Sequence, residues 1–249
     1  MRIAIDAHMV GERETGNETY TLNLVRALLA LPLEARSEVE FLLYTTHPER
    51  LLPRLDSASA APVRCIRPEL APLRIAFGMP ITAMRDRINL LHVCYVAPPV
   101  RSFPCVVTVH DISYEFYPRF FSPRDRLMLR IMVPLSLHRA AKVITISEHS
   151  RQEIVRRYRL PADRIAVTYL AASETFRPVS DPSLLARVRV HYGLKERYLL
   201  ALGNLQPRKN LIWLVDAYVR LRNQGQLDGV QLVLGGKAQW RESELFARV

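Results

Sequence analysis

Eight consecutive residues, Gly203-Asn204-Leu205-Gln206-Pro207-Arg208-Lys209-Asn210, carry the groups that hold a diphosphate. A glycine lets backbone N–H groups come close to an anion, and Arg and Lys supply charge, the guanidinium as a two-pronged fork. The apolar run Tyr198–Leu202 before them reads as a strand, and the amphipathic run Leu211–Asn223 after them as a helix. The loop therefore joins a strand end to a helix start, where unpaired N–H groups add to the positive field. It is not a P-loop, because Asn210 rather than Ser or Thr follows Lys209. Two cations at a helix start oppose the helix dipole by about 0.3–1 kcal/mol each. A purely solvated turn gives no reason for that cost, so the pattern points to an anionic ligand. Gly235-Gly236-Lys237 follows the strand-like run Val230–Leu234 in the same way. There the glycines suit close ligand approach, while Lys237 reads as an ordinary surface charge.

Three upstream segments add candidates. His110-Asp111 ends the strand-like run Cys105–Val109. A His there faces the ligand crevice of an open α/β sheet and titrates near neutrality, and Asp111 can orient the ring or the loop. The alternative is a His satisfied by backbone and an Asp turn residue. Tyr114, Phe116, Tyr117, Phe120 and Phe121 follow, as a stacking surface or a packed flap. The loop GERETGNETY at 11–20 runs from the first strand into a helix, and Gly16 lets its backbone approach a ligand. Its alternative is a tight turn capped by Thr15 or Asn17. Ser147, Glu148 and His149 stand at another helix start, where Ser147 doubles as a cap.

The elements that must position these groups alternate. Strands are expected at Arg2–Ala7, Glu40–Thr45, Pro62–Ile66, Leu90–Val93, Cys105–Val109, Lys142–Ile146, Arg164–Thr168, Tyr198–Leu202 and Val230–Leu234. Helical spacing or capping predicts helices over Asn17–Leu31, Pro48–Leu55, Pro72–Arg87, Pro123–Arg139, from Ser147 onward (or from a Ser150–Glu153 capping box), over Leu211–Asn223 and from near Arg241. A β-α-β order makes an α/β fold with a doubly wound parallel sheet. Residues 1–170 form one Rossmann-like domain, 171–197, rich in Pro and Ser, a linker, and 198–249 the first part of a second. A doubly wound domain takes ~100–150 residues, so the second reads as partial and the chain as a fragment.

Composition narrows the class. The chain has 249 residues, 49% hydrophobic and 24% charged, with a net charge of +11. That excludes disorder. Nine Gly and 17 Pro without a triplet period exclude collagen. Cys65, Cys94 and Cys105 make no CxxC pair, which argues against a disulfide framework or zinc site and for a reducing compartment. The apolar start is too short for a secretory segment and no run spans a membrane, so a cytoplasmic location is expected. Only four cations are Lys, at 142, 195, 209 and 237, against 31 Arg, and Arg suits phosphate.

Together, TGNETYTLNLVRAL at 15–28, VTVHDISYEFYP at 107–118, ITISEHSRQEI at 144–154, ETFRPV at 174–179, LALGNLQPRKNL at 200–211 and LVLGGKAQW at 232–240 resemble the retaining glycosyltransferases of family 4. The likeness is strongest to their mannosyltransferase-like subgroup of bacterial surface-polysaccharide biosynthesis. It implies a GT-B fold: an acceptor-side N-terminal domain and a nucleotide-sugar-binding C-terminal one. It implies hexose transfer, mannose by subgroup, from a nucleotide diphosphate sugar to a glycan or lipid-linked acceptor. By position, Arg208 and Lys209 hold the donor diphosphate, with Gly16 bordering it, and His110 is the catalytic residue at the donor sugar. Asp111, Ser147, Glu148, Gly203, Asn204, Gly235 and Gly236 line the cleft. No metal or other cofactor is implied, since there is no DxD motif and two cations replace the ion's charge. Two departures stand out. The family's Glu-x7-Glu pair lies further along, Glu242 and Glu244 lack its spacing, and YLAASE at 169–174 lacks a common Asn-Gly. These 249 residues alone are therefore expected to turn over weakly or not at all.

Arg124, Arg126, Arg130 and Arg139 share a helix with Leu127, Met128, Ile131, Met132 and Leu135. The combination suits peripheral contact with the inner membrane face, although such a stripe ordinarily packs on the sheet. The alternatives to an enzyme are a non-catalytic nucleotide-sugar-binding relative and a basic nucleic-acid-binding protein. The second lacks a recognised module or clustered basic stripe, so no nucleic-acid partner is expected.

Overall fold

A computed structural model describes residues 1–12, 16–55, 61–173, 175–205, 207–237 and 243–248. The chain divides into two compact units, Met1–Leu170 and Ala171–Val249.

The first unit is built on seven strands, β1 Arg2–Asp6, β2 Glu40–Thr45, β3 Val63–Cys65, β4 Leu90–Cys94, β5 Cys105–Thr108, β6 Lys142–Thr145 and β7 Ile165–Val167. All pair in parallel, in the order β3-β2-β1-β4-β5-β6-β7. Their near-continuous apolar runs follow from burial on both faces. Side chains alternate, so Ala4, Leu42, Tyr44, Leu91, Val93 and Val107 pack into one layer. Ile5, Phe41 and Leu43 turn the other way, against Val25, Leu29 and Leu51. The chain winds outward from β1 to β3, then crosses back to β4 beside β1. That reversal opens a crevice at the carboxyl ends of β1 and β4.

The strands stand where the sequence predicts them, within a residue or two. So do the best-capped helices. Ser122 caps Pro123–Arg139, its Oγ accepting from the Asp125 N–H at 3.1 Å. Ser147 Oγ accepts from the Ser150 N–H at 3.1 Å and starts Glu148–Tyr158. Ser150 is thus inside the helix, and Glu153 pairs with His149 at 3.3 Å instead of closing a box.

Four expectations change. The first helix is Gly16–Leu29, which places Asn17 inside it rather than at the cap; Thr15 lies outside the described residues. The helix expected over Pro72–Arg87 is interrupted: Ala71–Leu73, a π-helical turn Arg74–Gly78, then Met79–Arg85. A Cβ on Gly78 would stand 2.4 Å from the Arg67 carbonyl oxygen, so only glycine lets this turn pass.

The third change concerns Pro123–Arg139. Val133, Ser136 and Leu137 face inward, while Leu127 and Ile131 are 62% and 57% exposed. Ser136 helps fix that rotation, since its Oγ accepts from the Ala97 N–H, outside the helix, at 2.9 Å. The stripe expected to pack on the sheet therefore points outward. Among the described residues, no helix is long and apolar enough to cross a membrane.

The second unit pairs β8 Arg197–Leu202 with β9 Val230–Gly235 in parallel, joined through the helix Leu211–Asn223. Leu205, Val215 and Leu245 form its core with Leu211, Ile212, Leu232 and Leu234. The fourth change is here. The segment 171–197, read as a linker, carries the helix Pro182–Tyr192. Asp181 Oδ1 accepts from the Ser183 N–H at 2.9 Å, and Gly193 closes the helix at φ 60°. Pro at the first position and Gly past the last are sound helix signals that the local Pro and Ser content masked. The helix expected near Arg241 is Ser243–Phe246; Arg241 and Glu242 lie outside the described residues.

Candidate functional site

In the second unit, β8 and β9 end side by side, and both carry glycine there. The Gly203 N–H donates to the Gly235 carbonyl at 2.9 Å. Beyond it Gly236, at φ 152°, passes so close that a Cβ would lie 1.8 Å from the Gly203 carbonyl oxygen. Asn204 is half-buried beside them. Pro207–Lys209 is a 3-10 turn, and Arg208 and Lys209 are both exposed. The Lys209 Cε lies 3.9 Å from where a Gly203 Cβ would be, so its chain crosses the strand end. Asn210, left-handed at φ 54°, starts Leu211–Asn223 without a side-chain cap. The sheet edge therefore presents two close-running backbones, two exposed cations and an uncapped helix start: a cradle for a doubly charged oxyanion.

In the first unit, His110 follows β5 and is buried. Its ring meets Tyr20 edge-on at 4.6 Å between centroids and Tyr95 at 5.8 Å. Its Nε2 is buried with no hydrogen-bond partner among the described residues. Burial lowers its pKa and outweighs the opposite pull of Asp111. Asp111 Oδ1 accepts from the Ser113 N–H at 2.9 Å. Gly16 opens its helix, exposed, and a Cβ there would meet nothing within 4 Å; space alone does not demand glycine. Ser147 is used as a cap, and Glu148 binds Arg151 at 3.0 Å. Among the described residues, no group of three His, Cys, Asp or Glu is placed to hold a metal ion.

Sequence reasoning missed the polar groups at the ends of β1 and β4. Both carboxylate oxygens of Asp6 lie 2.8 Å from His8 Nδ1. Burial would raise the Asp6 carboxyl, but the charge and hydrogen bonds of His8 and the charge of Arg74 together lower it. His92 Nε2 is 2.8 Å from Thr108 Oγ1, which also meets the Tyr20 hydroxyl at 3.2 Å. The one available signal was Asp6-Ala7-His8, polar residues at the carboxyl end of an apolar strand.

Burial pushes His92 down to about 4 from an ordinary 6.5, against the Asp6 charge and helped by His110. The neutral ring is the one that folds. Its contribution is complete above pH 6.5 and is lost as the pH falls toward 4, because the unfolded chain takes the proton first. The expected loss is on the order of 3 kcal/mol between pH 7 and 4. Urea unfolding across that range, for the native chain and for His92→Gln, measures it; the variant should show a flatter profile.

Comparison with known proteins adds four likenesses. The sequence profile of Glycosyltransferase Family 4 matches residues 15–172. O-antigen chain mannosyltransferase B of Escherichia coli is 34% identical over 152 residues, which are 61% of this chain and 39% of that protein. The alpha-D-kanosaminyltransferase of Streptomyces kanamyceticus is 26% identical over 149 residues, 57% of this chain and 37% of its own length. These matches span about two fifths of the curated relatives' length. Among solved structures, Anabaena Alr3699/HepE in complex with UDP-glucose superposes with a TM-score of 0.65 at 19% identity, over 100% of this chain and 65% of its own. The likeness fixes the fold as α/β of the GT-B type.

Proposed function

Since this chain belongs to glycosyltransferase family 4, we propose that the protein moves a hexose from a nucleotide diphosphate sugar to a glycan or lipid-linked acceptor, with retention. The observation that carries the reading is the cradle at the ends of β8 and β9, with Arg208 and Lys209 exposed beside Gly203 and Gly236. As the bond from the sugar to the diphosphate breaks, negative charge builds on the leaving group, and the two cations stabilise it. Gly235 and Asn204 shape the same edge. In the first unit, His110, its ring neutral, is the residue proposed for the donor sugar, and Gly16 lets the backbone of its helix start approach a ligand. Asp111 follows β5 beside His110, and Ser147 and Glu148 follow the neighbouring β6. The donor diphosphate needs no metal where two cations supply the charge. Mannose is the proposed sugar, supported by the 34% identity to an O-antigen mannosyltransferase, which also supports a role in polysaccharide synthesis. Calorimetric titration of the chain with GDP, UDP and ADP tests the donor site; no binding of any of the three would refute it.

We further propose that the protein works at the cytoplasmic face of a membrane. Leu127, Met128, Ile131 and Leu135 are exposed on one helix of the first unit. Leu73, Phe77, Ile81 and Met84 are exposed along the Ala71–Arg85 helical segment, with Leu70 exposed just before it. Two such stripes exceed the scattered apolar exposure usual on a soluble surface, and Arg85, Arg124 and Arg130 are exposed nearby in sequence for anionic headgroups. Co-sedimentation with phosphatidylglycerol vesicles should exceed that with phosphatidylcholine vesicles. It should fall at least threefold in Leu127→Glu/Ile131→Glu; equal sedimentation in all cases refutes the contact.

A further inference from the structure

Thr108 ends β5 fully buried and fastens two aromatic residues. Its Oγ1 meets the Tyr20 hydroxyl at 3.2 Å, and its carbonyl accepts from the Tyr95 N–H at 2.8 Å. Tyr20 belongs to the helix Gly16–Leu29, and Tyr95 directly follows β4. Both rings meet His110 edge-on, at 4.6 Å and 5.8 Å between centroids. Segments far apart in the chain thus converge on one imidazole. His92 backs the arrangement, its Nε2 lying 2.8 Å from the same Thr108 Oγ1. Neutral His92 can accept from the Thr108 hydroxyl, which then accepts from Tyr20. A polar chain satisfied in this way is rigid.

Two features set this apart from ordinary core packing. Tyr95 stands at φ 63°, a left-handed conformation uncommon for a bulky side chain. Residues held that way persist only where their surroundings impose it, and they gather at functional sites. His110 is 8% exposed, and its Nε2 makes no hydrogen bond among the described residues. With no hydrogen bond on that nitrogen, the neighbouring rings take over the task of orienting the imidazole. They also shield it, which agrees with a neutral ring: burial lowers the His110 pKa against the pull of Asp111. Of the other titratable groups at this point, His92, Cys94 and both tyrosines are uncharged at neutral pH, since burial lowers the first and raises the rest.

We propose that Tyr20 and Tyr95, both tied to Thr108, are positioning residues that clamp the His110 ring in the pose it needs at the donor sugar. Tyr20 sits one helical turn after Gly16, on the same face of the helix. One side chain therefore joins the helix start that a ligand approaches to the His110 ring. The inference rests on the glycosyl-transfer reading and adds to it the residues that aim His110.

Long-range proton–nitrogen NMR of the histidine rings in the 249-residue chain tests the clamp without any ligand. The signal missing from His110→Gln identifies the ring. In Tyr20→Leu its resonances should shift and its titration midpoint should rise toward the ordinary 6.5, because the ring is opened to water. Tyr20→Phe, which loses only the bond to Thr108, should fall between. Calorimetry then reads the consequence for the sugar. Tyr20→Leu should weaken whichever of GDP-mannose and UDP-glucose the native chain prefers by about tenfold, the size of one lost hydrogen bond, and leave GDP and UDP as in the native chain. A folded Tyr20→Leu with native His110 resonances and midpoint overturns the proposal, and so does an undiminished affinity for the nucleotide sugar. If Tyr20→Leu unfolds early, Tyr20→Phe decides on the same two readouts. Should the native chain bind no nucleotide or nucleotide sugar, the donor site is refuted, whereas the ring titration judges the clamp on its own.

Discussion

Replacing Arg208 and Lys209 together by Ala is expected to weaken binding of the preferred nucleoside diphosphate by about 100-fold or more. Each cation supplies a charge-assisted hydrogen bond of roughly 1.5–3 kcal/mol, and losing both exceeds the ~2.7 kcal/mol that corresponds to 100-fold. The folded state should not suffer. Both side chains are exposed in a short 3-10 turn, and removing two cations from a helix start relieves the dipole rather than opposing it. Calorimetry gives the affinity, and thermal unfolding gives the stability. A variant that keeps the native affinity would mean that the cations face something other than the donor. One that unfolds early would mean that they hold the fold.

The second large effect is structural. Gly236→Ala should strongly destabilise the second unit and abolish nucleotide binding with it. The new Cβ would lie 1.8 Å from the Gly203 carbonyl oxygen and 2.7 Å from its carbon, and φ at 152° is a conformation that side-chain-bearing residues rarely adopt. Neither atom is a flexible side-chain tip, so the backbones of β8 and β9 must separate where the Gly203 N–H meets the Gly235 carbonyl. The expected cost is several kcal/mol, comparable to overpacking a core with added backbone strain. Gly16→Ala provides the contrast, since its Cβ would meet nothing. It should unfold like the native chain and report only on ligand approach. Hydrogen exchange resolved by residue checks both. Protection in β8 and β9 that survives Gly236→Ala would contradict the close passage.

Much of the fold was legible because parallel strands are short apolar runs, the central ones buried on both faces, and nine such runs stand between turn residues. Ser122-Pro123 and Ser147 announced two helices by capping chemistry that acts locally. The candidate diphosphate loop was legible for the same reason, since Gly203 through Asn210 is one continuous segment of Gly, Arg and Lys between a strand and a helix. The helix Pro182–Tyr192 was legible but misweighed.

What only the tertiary structure decided depends on residues far apart in the chain. Asp6, Arg74 and Asp111 meet in one cavity because the strand order reverses between β1 and β4, and no local pattern encodes that meeting. The π-helical turn at Arg74 interrupts the helix that the sequence led one to expect over Pro72–Arg87. The rotation of Pro123–Arg139 is set where Ser136 meets the Ala97 N–H beside the buried Val133 and Leu137, contacts that the helix's own sequence does not name. The division is physical: capping, burial pattern and turn chemistry act over a few residues and can be read from them. The partners of a buried charge are chosen by the packing of the whole unit.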